Sequence, residues 1–213
     1  MGMCPVKPQV EHTHYLSEKY ENQGRFISYW HQVNNIHGLK PDRILEVGKG
    51  NGFLDRYLSQ RQYDITTLDI DLLLQPTVQG SVTSIPFQDA SFDMCTCFEV
   101  LEHLPYEKFT LALFEMKRVS RKNILLSLPD LSWVMTLRVR LPKLGVRKWI
   151  LPIPRLISPV REFDGQHYWN IGTRGYPLRR IMKDITRVGL SIMETYRVHE
   201  IPWHRFFILN ILD

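Results

Sequence analysis

The sequence predicts an α/β fold built on a mostly parallel sheet, and three observations carry that expectation. From Arg43 to Asn123, short apolar, β-branched runs alternate with helical patterns, as βαβ units do. A glycine turn, Gly48-Lys49-Gly50-Asn51-Gly52, joins the first such run to the first of those helical patterns. The last two runs, Leu190 to Val198 and Arg205 to Leu212, flank a turn containing Pro202 and read as an antiparallel hairpin closing the sheet.

The elements follow in order. Leu16 to Ile36 is an aromatic-rich helical pattern placed to pack beside the glycine turn. Arg43 to Val47 is the first strand, and Gly52 to Gln60 a helix with Phe53, Leu54 and Leu58 on one side. Tyr63 to Ile70 reads as the second strand, Pro76 to Ser81 as a weak third and Phe92 to Val100 as the fourth. Pro105 opens a helix running to about Ser120, and Asn123 to Leu128 is the fifth strand. The stretch from Pro129 to about Ile171 shows no clear period and is expected to be irregular, yet its Trp133, Trp149, Ile150 and Trp169 make it too apolar for disorder. A helix from Tyr176 to Val188, ended by Gly189, precedes the final hairpin.

A chain of 213 residues, 44% hydrophobic, closes one core. The expected divisions of that one domain are an N-terminal helical segment (1–42), a ligand-binding core (43–129), a lid insertion (130–172) and a C-terminal helix with strand hairpin (173–213). Three cysteines, Cys4, Cys95 and Cys97, form no disulfide framework or C-x-x-C pair. The opening Met1 to Val6 lacks a leader pattern, and no run approaches the roughly 18 apolar residues of a spanning helix. A cytoplasmic location is therefore expected. The net charge of +5 is uneven: residues 130–184 hold 11 Lys/Arg against 4 Asp/Glu. Such an excess attracts a membrane surface, nucleic acid or an anionic small molecule, or is a solvated basic face.

Glu46-Val47-Gly48-Lys49-Gly50-Asn51-Gly52 sits between a strand and a helix, the context a nucleotide-type cofactor needs. Glycines let the main chain approach a ligand, and the helix start offers unpaired N–H groups. The G-x-G-x-G spacing differs from the dinucleotide G-x-G-x-x-G, which disfavours a nicotinamide oxidoreductase. Asp69, ending the second strand, is placed to accept hydrogen bonds from ribose hydroxyls. A purely structural tight turn and a helix-capping Asp69 are the alternative readings, and Asp71 suits the capping role better.

With Ile85-Pro86-Phe87-Gln88-Asp89-Ala90-Ser91-Phe92-Asp93 and Val100-Leu101-Glu102-His103-Leu104 added, the stretch Arg43 to Pro129 resembles the class I, Rossmann-like S-adenosylmethionine-dependent methyltransferases, within them the type 11 group. The resemblance implies a mostly parallel seven-stranded sheet with an antiparallel C-terminal strand, helices on both faces and S-adenosyl-L-methionine as cofactor. It implies that Glu46, Gly48, Lys49, Gly50, Asn51 and Gly52 form the methionine end of the site, Asp69 the ribose contact and Ile70 the adenine wall, with Phe98 and Glu99 at the amino end. Lys49 departs from the small or sulfur-containing residue usual in the turn, and Ser81 stands where an acid often meets adenine. Ser81 with Val82 still offers a hydroxyl and a main-chain N–H.

Methyl transfer from a sulfonium depends mainly on positioning and exclusion of water. Three residues are candidates for contact with the acceptor: His103 and His167 as bases, and Tyr168 as a hydrogen-bond donor. Helix-start packing for His103 and anchoring of the insertion by His167, Tyr168 and Trp169 are the competing readings. Cys95 and Cys97 should be buried on one face of the fourth strand. Among the histidines only His12 and His14 are close in sequence, without a third ligand, so no metal is expected. The reading overall is a methyltransferase for an unidentified acceptor, small or lipid- or glycan-linked and anionic if the basic segment contacts it. The alternatives are a nucleic-acid methyltransferase and a non-catalytic cofactor-binding protein, and no obligate protein partner is evident.

Overall fold

The computed structural model describes residues 10–15, 17–143, 145–155 and 158–212. Met1 to Val6, with Cys4, and Leu16 lie outside the described residues. The described chain opens with a short helix, α1 (His12–Tyr15), followed by α2 (Gln23–Leu39), β1 (Arg43–Val47), α3 (Phe53–Ser59) and β2 (Asp64–Asp69). Then come β3 (Val78–Gln79), β4 (Phe92–Phe98), α4 (Phe109–Val119) and β5 (Ser120–Pro129). The strands β6 (Val134–Leu141) and β7 (Gly145–Pro152), the helix α5 (Leu178–Arg187), β8 (Leu190–Arg197) and β9 (His204–Ile211) complete it.

Seven strands form one sheet in the order β3-β2-β1-β4-β5-β9-β8. All of β1 to β5 run parallel, and β9 is antiparallel to both β5 and β8. The expected sheet, including its reversed C-terminal strand, is the observed one. The central strands β1 and β4 are buried along nearly their whole length because both faces are covered, as parallel sheets require. Phe109, Leu113 and Met116 of α4, with Ile181 and Ile185 of α5, bury one face, where Cys95 and Cys97 are also wholly enclosed. Ile36 of α2 and Leu54 and Leu58 of α3 bury the other.

Local chemistry sets the boundaries. Asn22 caps α2, its side chain accepting from Arg25 N at 3.1 Å. No helix joins β3 to β4; the run 80–91 is instead held by Arg118, whose guanidinium donates to the carbonyls of Ile85 and Phe87 and to Asp89. Trp169, expected to pack a lid, is fully buried in the main core and donates Nε1–H to Leu104 O at 3.1 Å.

The stretch after Pro129 departs from expectation. It is not irregular throughout: β6 and β7 pair as a separate two-stranded antiparallel sheet from Val134↔Pro152 to Leu141↔Gly145. The alternation Met135, Leu137, Val139, Leu141 has the period of a strand, and interspersed arginines hid it. The base of this hairpin is tied down by Asp130, fully buried, which accepts from Arg205 Nε at 2.7 Å and from Ser132 N at 2.9 Å.

Candidate functional site

Strand order reverses between β1 and β4, and ligands in such sheets bind beyond the carboxyl ends of the strands at that point. A cavity lies there. Its walls come from the glycine turn (Gly48, Gly50), the end of β2 (Asp69, Ile70), the loop after β3 (Ser81, Val82) and the end of β4 (Phe98, Glu99). His103 and His167 also line it.

The turn is shaped by its glycines: Gly48, Gly50 and Gly52 all have positive φ, at 82°, 54° and 69°. Gly48 is the most constrained, since a Cβ there would lie 2.4 Å from Val100 Cγ2. At Gly50 the space is open, with Tyr20 Oη at 3.5 Å from such a Cβ. The side chain of Lys49 turns away from the cavity, donating to Gln75 O at 2.6 Å and pairing with Asp55 at 3.4 Å, so its size does not obstruct the site. Asn51 is likewise engaged outside, accepting from Phe53 N and Tyr29 Oη and donating to Glu21. Neither Lys49, Asn51 nor Gly52 lines the cavity by its side.

Asp69 accepts Lys49 N–H at 2.8 Å and Asp71 N–H at 2.9 Å. Burial raises its pKa, against those backbone donors. Asp71 is the capping residue, accepting from Leu73 N, as expected. Glu46 is buried beneath the turn, one carboxyl oxygen unpaired and its pKa pushed up by burial. Glu99 holds a positive φ of 54°, a strained conformation for its type, fixed by Ser127 Oγ–H donating to Oε1 at 2.9 Å.

Sequence reasoning set the pattern from Leu16 to Ile36 beside the glycine turn but named none of its residues, nor those before it, as cavity wall. Val10, His14 and Tyr15 in and just before α1, Tyr20 in the turn after it and Arg25 at the start of α2 also line the cavity. Arg25 stacks 4.3 Å over the Tyr20 ring, and Tyr15 and Tyr20 meet edge to face at 5.3 Å. The dense aromatics of His14-Tyr15 and Tyr20 were the available signal.

Of the acceptor candidates, His103 and His167 come together, with ring centroids 4.8 Å apart. His103 Nδ1 lies 2.9 Å from Gln166 O; a carbonyl only accepts, so Nδ1 carries the proton. Burial lowers the pKa of both rings, that of His167 to about 4 with help from His103. Both are neutral at physiological pH. Tyr168 does not line the cavity: it stacks on Phe163 at 4.2 Å, and its N–H donates to Glu102 O. Glu102 is completely buried with neither carboxyl oxygen paired, its pKa raised by burial and by Glu99.

This fold is the class I, Rossmann-like fold of S-adenosylmethionine-dependent methyltransferases. Residues 45–127 match the methyltransferase domain family. No curated protein matches the chain. Among solved structures it is similar to an S-adenosylmethionine-dependent methyltransferase from Clostridium acetobutylicum (8% identity, 95% and 97% of the two chains, TM-score 0.62). It is also similar to the Burkholderia thailandensis 1,6-didemethyltoxoflavin-N1-methyltransferase (13%, 100% and 94%, TM-score 0.57). A third is a glycopeptide N-methyltransferase complexed with S-adenosylhomocysteine (10%, 98% and 100%, TM-score 0.61). The residues fit S-adenosylmethionine: the unpaired oxygen of Glu46 suits an amino group, and a carboxylate has about four acceptor sites, of which Asp69 has used two.

Proposed function

We propose that the acceptor is a small anionic or lipid- or glycan-linked molecule whose nucleophile is presented at the His103–His167 wall. Bound S-adenosylmethionine supplies an activated methyl group on sulfur. The chain contributes alignment and water exclusion, with Asp69 and the glycine turn fixing the donor and two neutral imidazoles able to accept or relay the acceptor's proton.

The β6–β7 hairpin carries this reading of the acceptor. It leaves the sheet at the carboxyl end of β5, the edge where the cavity opens. One face shows Met135, Leu137, Trp149 and Leu151, all more than 40% exposed, with Trp133 and Ile153 at its base. Arg147 shares that face, Lys143 sits in the turn, and Arg138, Arg140 and Lys148 lie on the opposite face. Apolar side chains on a cationic ribbon suit an amphiphile or an anionic membrane surface better than a nucleic acid, which would call for stacking rings along a groove. Among the described residues no helix is long and apolar enough to cross a membrane. Free, buried Cys95 and Cys97 favour a reducing, cytoplasmic setting.

The test supplies radiolabelled methyl donor with a cell extract and separates lipid-extractable, aqueous small-molecule and nucleic-acid fractions. Label in the first two supports the proposal; label confined to RNA or DNA establishes a nucleic-acid methyltransferase instead.

A further inference from the structure

We infer that Glu102, His103 and His167 hold a divalent transition-metal cation that receives the acceptor's oxygen. The inference rests on the proposed acceptor position and adds its chemistry. One ligand atom from each of the three residues lies within 4.8 Å of the others, although 64 positions of sequence separate His103 from His167. His103 and Glu102 share one short turn after β4, and the insertion brings His167 to them.

Three features point to a cation rather than mere packing. Both oxygens of Glu102 are sealed from water without a partner, an arrangement that costs free energy unless something binds them. The Nδ1–H of His103 donates to the Gln166 carbonyl, leaving the Nε2 lone pair uncommitted; metal-ligating histidines are oriented by this kind of outer hydrogen bond. His167 has Asn170 3.2 Å from Nδ1, and with the amide oxygen turned to that nitrogen the ring donates Nδ1–H and frees Nε2. Two imidazoles and a carboxylate are the donor set of open zinc sites, in which remaining positions face substrate.

The open side is the cavity bearing Gly50, Phe98 and Glu99. With both imidazoles acting as ligands in place of proton acceptors, a hydroxyl or phenol bound there would lose its proton to water more readily, because coordination lowers its pKa, and would meet the methyl donor as an oxyanion. This assigns an oxygen nucleophile.

The test titrates Zn²⁺ into chelator-treated full-length protein by calorimetry and follows Co²⁺ binding by its visible absorption. One equivalent is expected, with affinity reduced at least tenfold in His167→Ala and in Glu102→Gln, and unchanged in His14→Ala, a nearby histidine of the same cavity. Circular dichroism verifies that each variant is folded. No saturable binding, or binding kept by both ligand variants and lost in His14→Ala, overturns the site. S-adenosylhomocysteine is titrated into the metal-free wild type in parallel: failure there counts against the methyltransferase reading, whereas its binding without zinc binding counts against the metal alone.

Discussion

The carboxylate of Asp69, at the end of β2, accepts the backbone N–H of Lys49 at 2.8 Å and so fastens the glycine turn to the neighbouring strand. In the proposed function the same group receives the donor's ribose. Asp69→Ala should therefore weaken S-adenosylhomocysteine binding by about 1–3 kcal/mol while the sheet persists. Calorimetry on the folded variant decides, and unchanged affinity would refute the assignment.

Gly48 and Gly50 should respond differently to substitution. A Cβ at Gly48 would strike Val100 in a backbone conformation that already disfavours it, so Gly48→Ala should lose about 1–3 kcal/mol of stability together with cofactor binding. At Gly50 a Cβ meets no close neighbour; Gly50→Ala should stay folded, while the branched Gly50→Val should abolish binding by filling the cavity. Melting curves and calorimetry on all three check the order.

Tyr168 is stacked on Phe163 away from the cavity, whereas His167 lines it. Tyr168→Phe is expected to keep turnover within about twofold, and His167→Ala to reduce methyl transfer by roughly tenfold or more. Equal losses in the two would place both residues in a structural anchor.

Acid should weaken the fold through Asp93. Burial works to raise its pKa, but the backbone N–H groups of Arg43 and Asp42, with Lys122 nearby, outweigh it and hold the value below the usual carboxylate range. A pKa lowered by folding gives stability that is present above the unfolded value, about 4, and lost as pH falls through the folded one. Asp93→Asn should thus cost about 1–3 kcal/mol at pH 7, with the gap from wild type closing toward pH 3. Urea denaturation at both pH values measures it; a pH-independent gap would mean that charge is not the cause.

The sheet and the glycine turn were legible because their signals are local. Apolar runs such as Ile124 to Leu126 are continuous, and glycines mark positive φ directly. Gly48, Gly50, Asp69, Ile70, Ser81, Val82, Phe98, Glu99 and His103, at or just beyond strand ends, all reach the cavity, whereas Glu46, Lys49, Asn51, Gly52 and Tyr168 do not line it. What escaped depends on contacts distant in sequence. The aromatics around Tyr15 do not say which part of the chain they cover, and the pairing of His103 with His167 appears only when the chain returns. The β6–β7 hairpin was hidden for another reason: one face exposes Met135, Leu137, Trp149 and Leu151 and the other exposes Arg138, Arg140 and Lys148, inverting the usual expectation that strand alternation buries the apolar side.

That inversion governs how the protein should behave in a test tube. A two-stranded ribbon has two unpaired edges, and this one presents tryptophan and leucine to water as well, conditions that invite copies to stack. Mutual repulsion between basic ribbons opposes the stacking, and repulsion is what added salt screens. Concentrated samples should consequently remain dispersed in dilute buffer and cloud as ionic strength rises, so the high-salt buffers commonly chosen to strip nucleic acid would be the ones that bring this protein out of solution.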